Sequence, residues 1–321
     1  MTTIDRIEAA AARTQGHVRQ TPLLSAPLLD RLAGRRVLVK AENLQITGSF
    51  KARGGWAAIS ALPPGTRGVL AMSSGNHAQG VAWAAAAHGV TAVILMPADA
   101  PAVKIANTKA YGAEVVLYDR AATDRDALAA QISADRGLAL IPPFDHPEVI
   151  AGQGTVGLEI AAQAAGLGIT QAEVLVPCGG GGLAAGVATA LAARAPDMRV
   201  RTVEPVGFDD MARSLATGQR QRNAAATGSL CDAILTPSPG LLTLPVLQRM
   251  AGPGLVVSDD QALRAMALAF THLRLVAEPG GAVALAAALF CPDLPETVIC
   301  TLSGGNVDAA LFADMLNRTP Q

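Results

Sequence analysis

Short apolar runs rich in Val, Ile and Leu punctuate the chain: RVLVKA at residues 36–41, GVLAM at 68–72, TAVILM at 91–96, AEVVLY at 113–118, EVLVP at 173–177, RVRTVE at 199–204 and TVICTL at 297–302. Ala-rich stretches of helical character lie between them. This alternation predicts parallel sheets with helices on both faces, an α/β fold. Gly75, Gly112, Gly166 and Gly179 to Gly182 fall at the expected turns, and the proline pairs of ALPPGTRG and LIPPFDHP stop helices or strands. No period of roughly 20 to 50 residues repeats, which argues against a solenoid. The first 20 residues, MTTIDRIEAAAARTQGHVRQ, place Asp5 and Glu8 where a signal peptide needs an apolar core, and predict an amphipathic helix instead. The most membrane-like segment, VAWAAAAHGVTAVILMPA at 81–98, is divided by Gly89 and carries His88, so it predicts a buried helix followed by a strand.

Composition narrows the function. With 321 residues and 50% hydrophobic content the chain can fill two ordinary domains. A net charge of -1, from 25 basic and 26 acidic residues, offers no long-range attraction to nucleic acid or anionic membrane, which leaves a small molecule as the expected partner. Cys178, Cys231, Cys291 and Cys300 are scattered without a CxxC pair or a histidine at metal spacing. Neither a disulfide framework nor a zinc site is predicted, and a reducing, cytoplasmic location is the expectation.

In open α/β sheets ligands bind beyond the C-terminal strand ends, so the residues after each run carry most of the chemical information. VPCGGGGLAAG, at 176–186, sets four glycines between a strand and a helix, where backbone N–H groups can curl around an anion. No Gly-Lys-Ser/Thr follows, which excludes the nucleoside-triphosphate loop. A degenerate dinucleotide fingerprint survives in Gly179, Gly181 and Ala184, with Glu204 at the end of the next strand as a ribose-binding acid. MSSGNHAQG, at 72–80, puts hydroxyls, a glycine and an amide at a helix start, which suits a carboxylate as well as an ordinary N-cap. CTLSGGN at 300–306 and Glu278-Pro279 within LVAEPGGAVALAAAL open two further helices. Lys51, in ITGSFKARGG at 46–55, stands at a helix start, the positive end of the dipole, where a cation does not help stability.

A lysine, a phosphate cradle, a carboxylate nest and a polar group for a ring are together what pyridoxal phosphate asks of a protein. The chain resembles the fold type II pyridoxal-phosphate enzymes of the serine/threonine dehydratase and serine racemase family. TPLL at 21–24, GSFKARGG, SSGNHAQG, VIAGQGT, GGGGLAAG, EPGGA and SGGN carry the resemblance, in that order, over nearly the whole chain. It implies a tryptophan synthase beta-like architecture: two open, twisted parallel-sheet domains with the cofactor in the cleft. Residues 48–145 would form the small domain, and 1–47 plus 146–321 the large one.

The resemblance also implies roles. Lys51 would hold pyridoxal phosphate as a Schiff base, with Phe50 packed on the ring and Asn76 bonded to the phenolic oxygen. Gly179, Gly180, Gly181 and Gly182 would bind the phosphate, Glu278 would lie among the cofactor contacts, and Ser303 would face the pyridine nitrogen. A serine hydroxyl cannot hold that nitrogen protonated as a carboxylate can, which favours β-elimination over transamination. The substrate carboxylate would rest on Ser73, Ser74, Gly75, Asn76 and His77, with Arg125 near the mouth. Lys51, once displaced, would take the α-proton.

The expected reaction is dehydration of L-threonine or L-serine to a 2-oxo acid and ammonia. Hydroxyaspartate ammonia-lyase and serine racemase are the close alternatives. Many threonine dehydratases have alanine where this chain has Ser74, a second acid or base opposite the lysine that makes racemisation feasible. VEPVGFDD at 203–210 resembles the cation site of the racemase branch, with Glu204 and Asp210 carboxylates and the Phe208 carbonyl suited to Mg²⁺ or Ca²⁺; a solvated acidic turn is the competing interpretation. Conversely, IPPFDHP is the form usual in threonine dehydratases, and CDAIL departs from the commoner Asp-Gly after Cys231. The end at Gln321 leaves no room for the regulatory domain of biosynthetic threonine dehydratases, so feedback inhibition by isoleucine is not expected. A homodimer is the family expectation. An NAD-dependent oxidoreductase is the more distant alternative, and a catalytically dead amino-acid sensor would need the lysine or the glycine loop to be missing.

Overall fold

The computed structural model describes residues 2–73, 75–100, 102–119 and 122–318. Its strands are β1 (Leu23–Ser25), β2 (Arg36–Ala41), β3 (Gly68–Met72), β4 (Thr91–Pro97), β5 (Glu114–Tyr118), β6 (Ala139–Leu140), β7 (Ala172–Pro177), β8 (Met198–Pro205), β9 (Leu255–Val257) and β10 (Thr297–Leu302). They form a six-stranded sheet in the order β1-β2-β10-β7-β8-β9 and a four-stranded sheet in the order β5-β4-β3-β6. Every pairing is parallel except β1 with β2. All seven apolar runs are strands, while β1, β6 and β9, each three residues or fewer, lie at sheet edges and lack such a run.

Both faces of the interior strands are buried, which is why those strands read as continuous apolar runs. In the small sheet Val69, Ala71, Ile94 and Met96 face one core while Leu70, Val93 and Leu95 face another. In the large sheet Val37, Val39, Leu175, Val298 and Cys300 turn to one side, and Leu38, Val174, Val176 and Ile299 to the other. The N-terminal segment is helical over Ile4–Thr14, and residues 81–98 divide between the helix Asn76–Ala87 and β4. No helix among the described residues is long and apolar enough to cross a membrane.

Four helices join the two sheets: Lys51–Ser60, Asn76–Ala87, Pro147–Gly166 and Gly182–Arg194. They meet at glycines. A Cβ at Gly55 would lie 2.6 Å from the Gly80 carbonyl oxygen, one at Gly152 2.6 Å from the Arg53 carbonyl oxygen, and one at Gly186 2.6 Å from the Gly154 nitrogen. The lysine-bearing helix is therefore packed backbone to backbone against the nest helix on one side and the Pro147–Gly166 helix on the other, and the latter continues the stack to the glycine-loop helix.

Arg53 anchors the lysine-bearing helix by charge as well. Its fully buried guanidinium donates to Glu42 Oε1 and Oε2 at 2.8 Å each and to Glu159 Oε1 at 2.6 Å. Buried Lys40 donates to Glu159 Oε2 at 2.5 Å and to the Thr21 carbonyl at 2.7 Å. Burial pushes the Glu42 carboxyl up, but Arg53 and Lys40 outweigh it and hold the group below its ordinary value.

Candidate active site

The C-terminal ends of β3, β7 and β10 converge on a cleft of about 510 Å³ between the sheets. Phe50, Lys51, Ser73, Gly75, Asn76, His77, Arg125, Gly179, Gly180, Gly181, Gly182, Glu278 and Ser303 all line it. Ser74 lies outside the described residues. Glu204, Phe208 and Asp210 are not on the cleft wall.

The approach to Lys51 is held against the SGGN segment. The Phe50 N–H donates to the Ser303 carbonyl at 3.1 Å, the Gly305 N–H to the Gly48 carbonyl at 2.9 Å, and Asn306 Nδ2 to the Thr47 carbonyl at 2.7 Å. Thr47 adopts φ 61°, an uncommon conformation for a β-branched residue, and these bonds over-determine it. Lys51 then opens the helix Lys51–Ser60, with Nζ donating to the Pro143 carbonyl at 2.6 Å and lying 5.1 Å from the Phe50 ring centroid. Burial lowers its pKa to about 8, against the partial opposition of Glu278. Its place at a helix N-terminus disfavours the ammonium further.

The glycine loop is built so that only glycine fits. A Cβ at Gly180 would lie 2.3 Å from Phe144 Cδ2, and Gly181 has φ +93° with Met211 and Thr243 behind it. The Gly180 carbonyl accepts the Thr243 hydroxyl at 2.6 Å and the Gly240 N–H at 3.1 Å, turning it away from the cleft. Asp145 fixes that turn by accepting the N–H groups of Leu241 at 2.9 Å and Leu242 at 2.8 Å. The first turn of Gly182–Arg194 leaves N–H groups that no helical carbonyl can take, next to the positive helix end. A phosphate fits this cradle. Gly180→Ala drives a methyl into the Phe144 ring; the expected result is at least about a tenfold rise in the Kd for pyridoxal phosphate, roughly 1.4 kcal/mol, measured by titrating the apoprotein with cofactor absorbance as the signal.

Opposite the lysine, the helix Asn76–Ala87 starts beyond Ser73 and Gly75, where the Ser73 hydroxyl accepts the Gly75 N–H at 3.2 Å. Burial, with Lys51 adding to it, lowers the His77 pKa to about 3, so the ring is neutral. With Nε2 2.8 Å from the Ile141 carbonyl, Nε2 carries the proton and Nδ1 is left as an acceptor without a partner among the described residues. The Asn76 amide donates to Glu278 Oε1 at 2.5 Å and accepts from Asn306 Nδ2 at 2.7 Å. Burial raises Glu278 to about 7, although the Asn76 hydrogen bond opposes the shift. Gly304 permits this approach, since a Cβ there would sit 2.1 Å from Glu278 Oε1.

Arg125 reaches the cleft mouth with its side chain about half exposed and paired to Asp126 at 2.9 Å. The Glu204 carboxylate is buried and accepts the N–H groups of Met211 at 2.9 Å and Ala212 at 2.7 Å. It is thus turned away from the cleft, which removes the ribose-binding role of the dinucleotide alternative. Asp210 Oδ1 accepts Asn223 Nδ2 at 2.5 Å while its buried Oδ2 has no donor among the described residues. Phe208 is buried with its N–H on the Pro205 carbonyl at 3.0 Å. No group of three or more His, Cys, Asp or Glu side chains gathers at metal-binding range among the described residues, so the acidic contribution here is the Glu204 and Asp210 pair.

The sequence did not single out Pro143, Phe144, Asp145, Thr243 or Asn306. The proline pair in PPFDHP and the terminal amide of SGGN were the available signals; Thr243 had none, because its role comes only from folding against Gly180.

Comparison with known proteins agrees with this geometry. The family model described as "Pyridoxal-phosphate dependent enzyme" matches residues 14–304. An L-threo-3-hydroxyaspartate ammonia-lyase from Pseudomonas sp is 39% identical over 96% of this chain and 96% of its own length. A serine racemase from Schizosaccharomyces pombe is 36% identical over 98% of each chain. Among solved structures, a threonine deaminase from T.th. superposes with a TM-score of 0.90 at 48% identity, covering 95% of this chain and 99% of that one. The chain belongs to the pyridoxal-phosphate-dependent enzymes, in the fold type II group that holds the threonine ammonia-lyases and serine racemases.

Proposed function

We propose that the protein is an ammonia-lyase that dehydrates 3-hydroxy amino acids, L-threonine and L-serine foremost, to a 2-oxo acid and ammonia. The observation that carries this is the placement of Lys51, with its pKa lowered to about 8, in one cleft with the glycine cradle and the nest residues Ser73, Gly75, Asn76 and His77. Bound pyridoxal phosphate supplies an electron sink for charge developing at the substrate α-carbon. The residues that fit it are Lys51 for the aldehyde, Gly179 to Gly182 for the phosphate, Phe50 against the ring, Asn76 with its remaining amide proton for the phenolic oxygen, and Ser303 toward the ring nitrogen. Glu278 holds Asn76 in that orientation.

The N–H groups at the start of Asn76–Ala87 bind the substrate carboxylate and orient the Cα–H bond. Lys51, whose pKa of about 8 leaves a minor neutral fraction at pH 7 that becomes the major form above about pH 8, removes the α-proton. Its depressed pKa keeps the amine both populated and basic. The β-hydroxyl leaves as water, and hydrolysis of the resulting imine releases ammonia. The test is to incubate purified holoenzyme with L-threonine, L-serine and L-threo-3-hydroxyaspartate and assay 2-oxo acid, ammonia and enantiomeric composition separately. Equimolar 2-oxo acid and ammonia from threonine and serine is the expected result. Inversion without ammonia would move the assignment to racemase, and turnover confined to hydroxyaspartate would narrow it to that substrate.

Glu204 and Asp210 fit a hard divalent cation, with Asp210 Oδ2, which has no partner among the described residues, as the open donor and the Phe208 carbonyl as a further oxygen ligand. Millimolar Mg²⁺ or Ca²⁺ is expected to raise the melting temperature of the wild type by several degrees and to leave an Asp210→Asn variant unmoved, as read by calorimetry. The free cysteines suit a reducing cytoplasm, and light scattering is expected to return the mass of a homodimer.

A further inference from the structure

One charged pair in the cleft has no part in binding the α-carboxylate or moving the α-proton. Lys104, in the helix Ala102–Ala110 that follows β4, donates to Asp232 Oδ2 at 2.7 Å. Asp232 belongs to the large-sheet side, in the turn Asp232–Ile234, whose Ile234 carbonyl oxygen lies 3.1 Å from where a Gly179 Cβ would be. Both residues line the cleft, so the pair spans it from one sheet's side to the other. The Lys104 side chain is 18% exposed and that of Asp232 58%. Their charges reach the cleft floor: after burial and the Asn76 hydrogen bond, Asp232 raises and Lys104 lowers the Glu278 pKa.

Helix stability does not account for Lys104, because the first turn of a helix disfavours a cation. Nor does the ion pair, since a pair with one well-exposed partner contributes about 0–1 kcal/mol. A carboxylate arriving in the cleft can therefore take the place of Asp232 at little cost, whereas an uncharged β-substituent leaves the pair intact. We propose that Lys104 is a specificity-determining residue that binds the second carboxylate of a dicarboxylic amino acid, with Asp232 as its resting partner. The cleft then accepts threonine or serine with the pair closed, and hydroxyaspartate or aspartate with Lys104 transferred to the ligand. Arg125, at the same mouth, is already paired with Asp126 on its own helix and stands about half exposed. It is the competing cation.

This deepens the proposed function and rests on the same cofactor-bearing cleft, but its test does not need elimination. Purified holoenzyme is titrated with L-aspartate and with L-alanine, neither of which carries a β-hydroxyl, and the change in cofactor absorbance gives a half-saturating concentration for each. Lys104→Met is expected to raise the aspartate-to-alanine ratio of these concentrations by about tenfold, and Asp232→Asn to lower it by about threefold or more. The proposal is overturned if neither variant moves the ratio, if Arg125→Met raises it and Lys104→Met does not, or if aspartate produces no saturating change in the wild type under conditions where alanine does. Failure of turnover on every 3-hydroxy amino acid, with the titration behaving as expected, would instead remove the lyase assignment and leave the anion subsite standing.

Discussion

Lys51→Ala lowers the rate of 2-oxo acid release from L-threonine by at least about 10³-fold, the range expected when a general base and covalent anchor are removed together. The absorption of bound cofactor changes with it, because the amine that holds the aldehyde is gone. The same substitution stabilises the apoprotein. In the folded chain the Lys51 pKa falls from 10.5 to about 8 through burial. Below about pH 8 the folded state therefore carries a buried ammonium at a penalty of about 3 kcal/mol. Between about pH 8 and 10.5 the unfolded chain binds the proton more tightly than the folded one, so wild-type stability rises with pH across that window. The variant lacks this rise. Denaturant unfolding of both apoproteins at pH 7 and pH 10 checks the sign: the variant is the more stable at pH 7, and its advantage shrinks at pH 10. A variant that is both inactive and less stable at pH 7 would mean that Lys51 is a structural cation held by Pro143.

Arg53→Met has the opposite balance. It leaves the Lys51 amine in place but strands Glu42, which is fully buried, and Glu159. Removing one member of a buried ion network costs about 3–5 kcal/mol, because the surviving charges lose their partner without regaining water. The expected result is a loss of that size in urea unfolding at pH 7, with part of it recovered by adding Glu42→Gln. The sign with pH follows from Glu42, whose pKa lies below its ordinary value when folded. Its stabilisation of the wild type is present above the unfolded carboxyl value near about 4.3 and is lost as the pH falls through the folded one. Wild type and Arg53→Met should therefore converge in stability toward acid. Because the network is anchored two residues from Lys51, the variant is also expected to bind pyridoxal phosphate more weakly.

Both predictions concern residues within GSFKARGG, and what the sequence could say of them differs. Lys51 was legible because its chemistry is local: a cation at a helix start is out of place on stability grounds alone. Arg53 was not, because its partners Glu42 and Glu159 are brought to it only when β2 and the helix Pro147–Gly166 close around it. The same distinction holds across the fold. The β3 and β4 runs announced themselves because both faces of each strand are buried, whereas β6, two residues at an edge, buries too little to leave a pattern. Gly179 to Gly182 read as a cradle from backbone freedom alone, but Thr243 and Asp145, which orient it, come from distant loops. Glu204 was ambiguous in sequence between a ribose contact and a cation ligand, and its backbone partners in the folded chain exclude the first.

The glycine contacts between the helices carry an evolutionary consequence. Where backbone meets backbone there is no side chain to trade for a slightly larger or smaller one, so the distances among lysine, phosphate cradle and nest cannot be tuned by gradual substitution. Room for variation is left to cleft-lining residues outside these helices, such as Lys104, Tyr118, Arg125, Asp232 and Leu235. A lineage can exchange one amino acid for another as its food while inheriting the reaction centre unaltered.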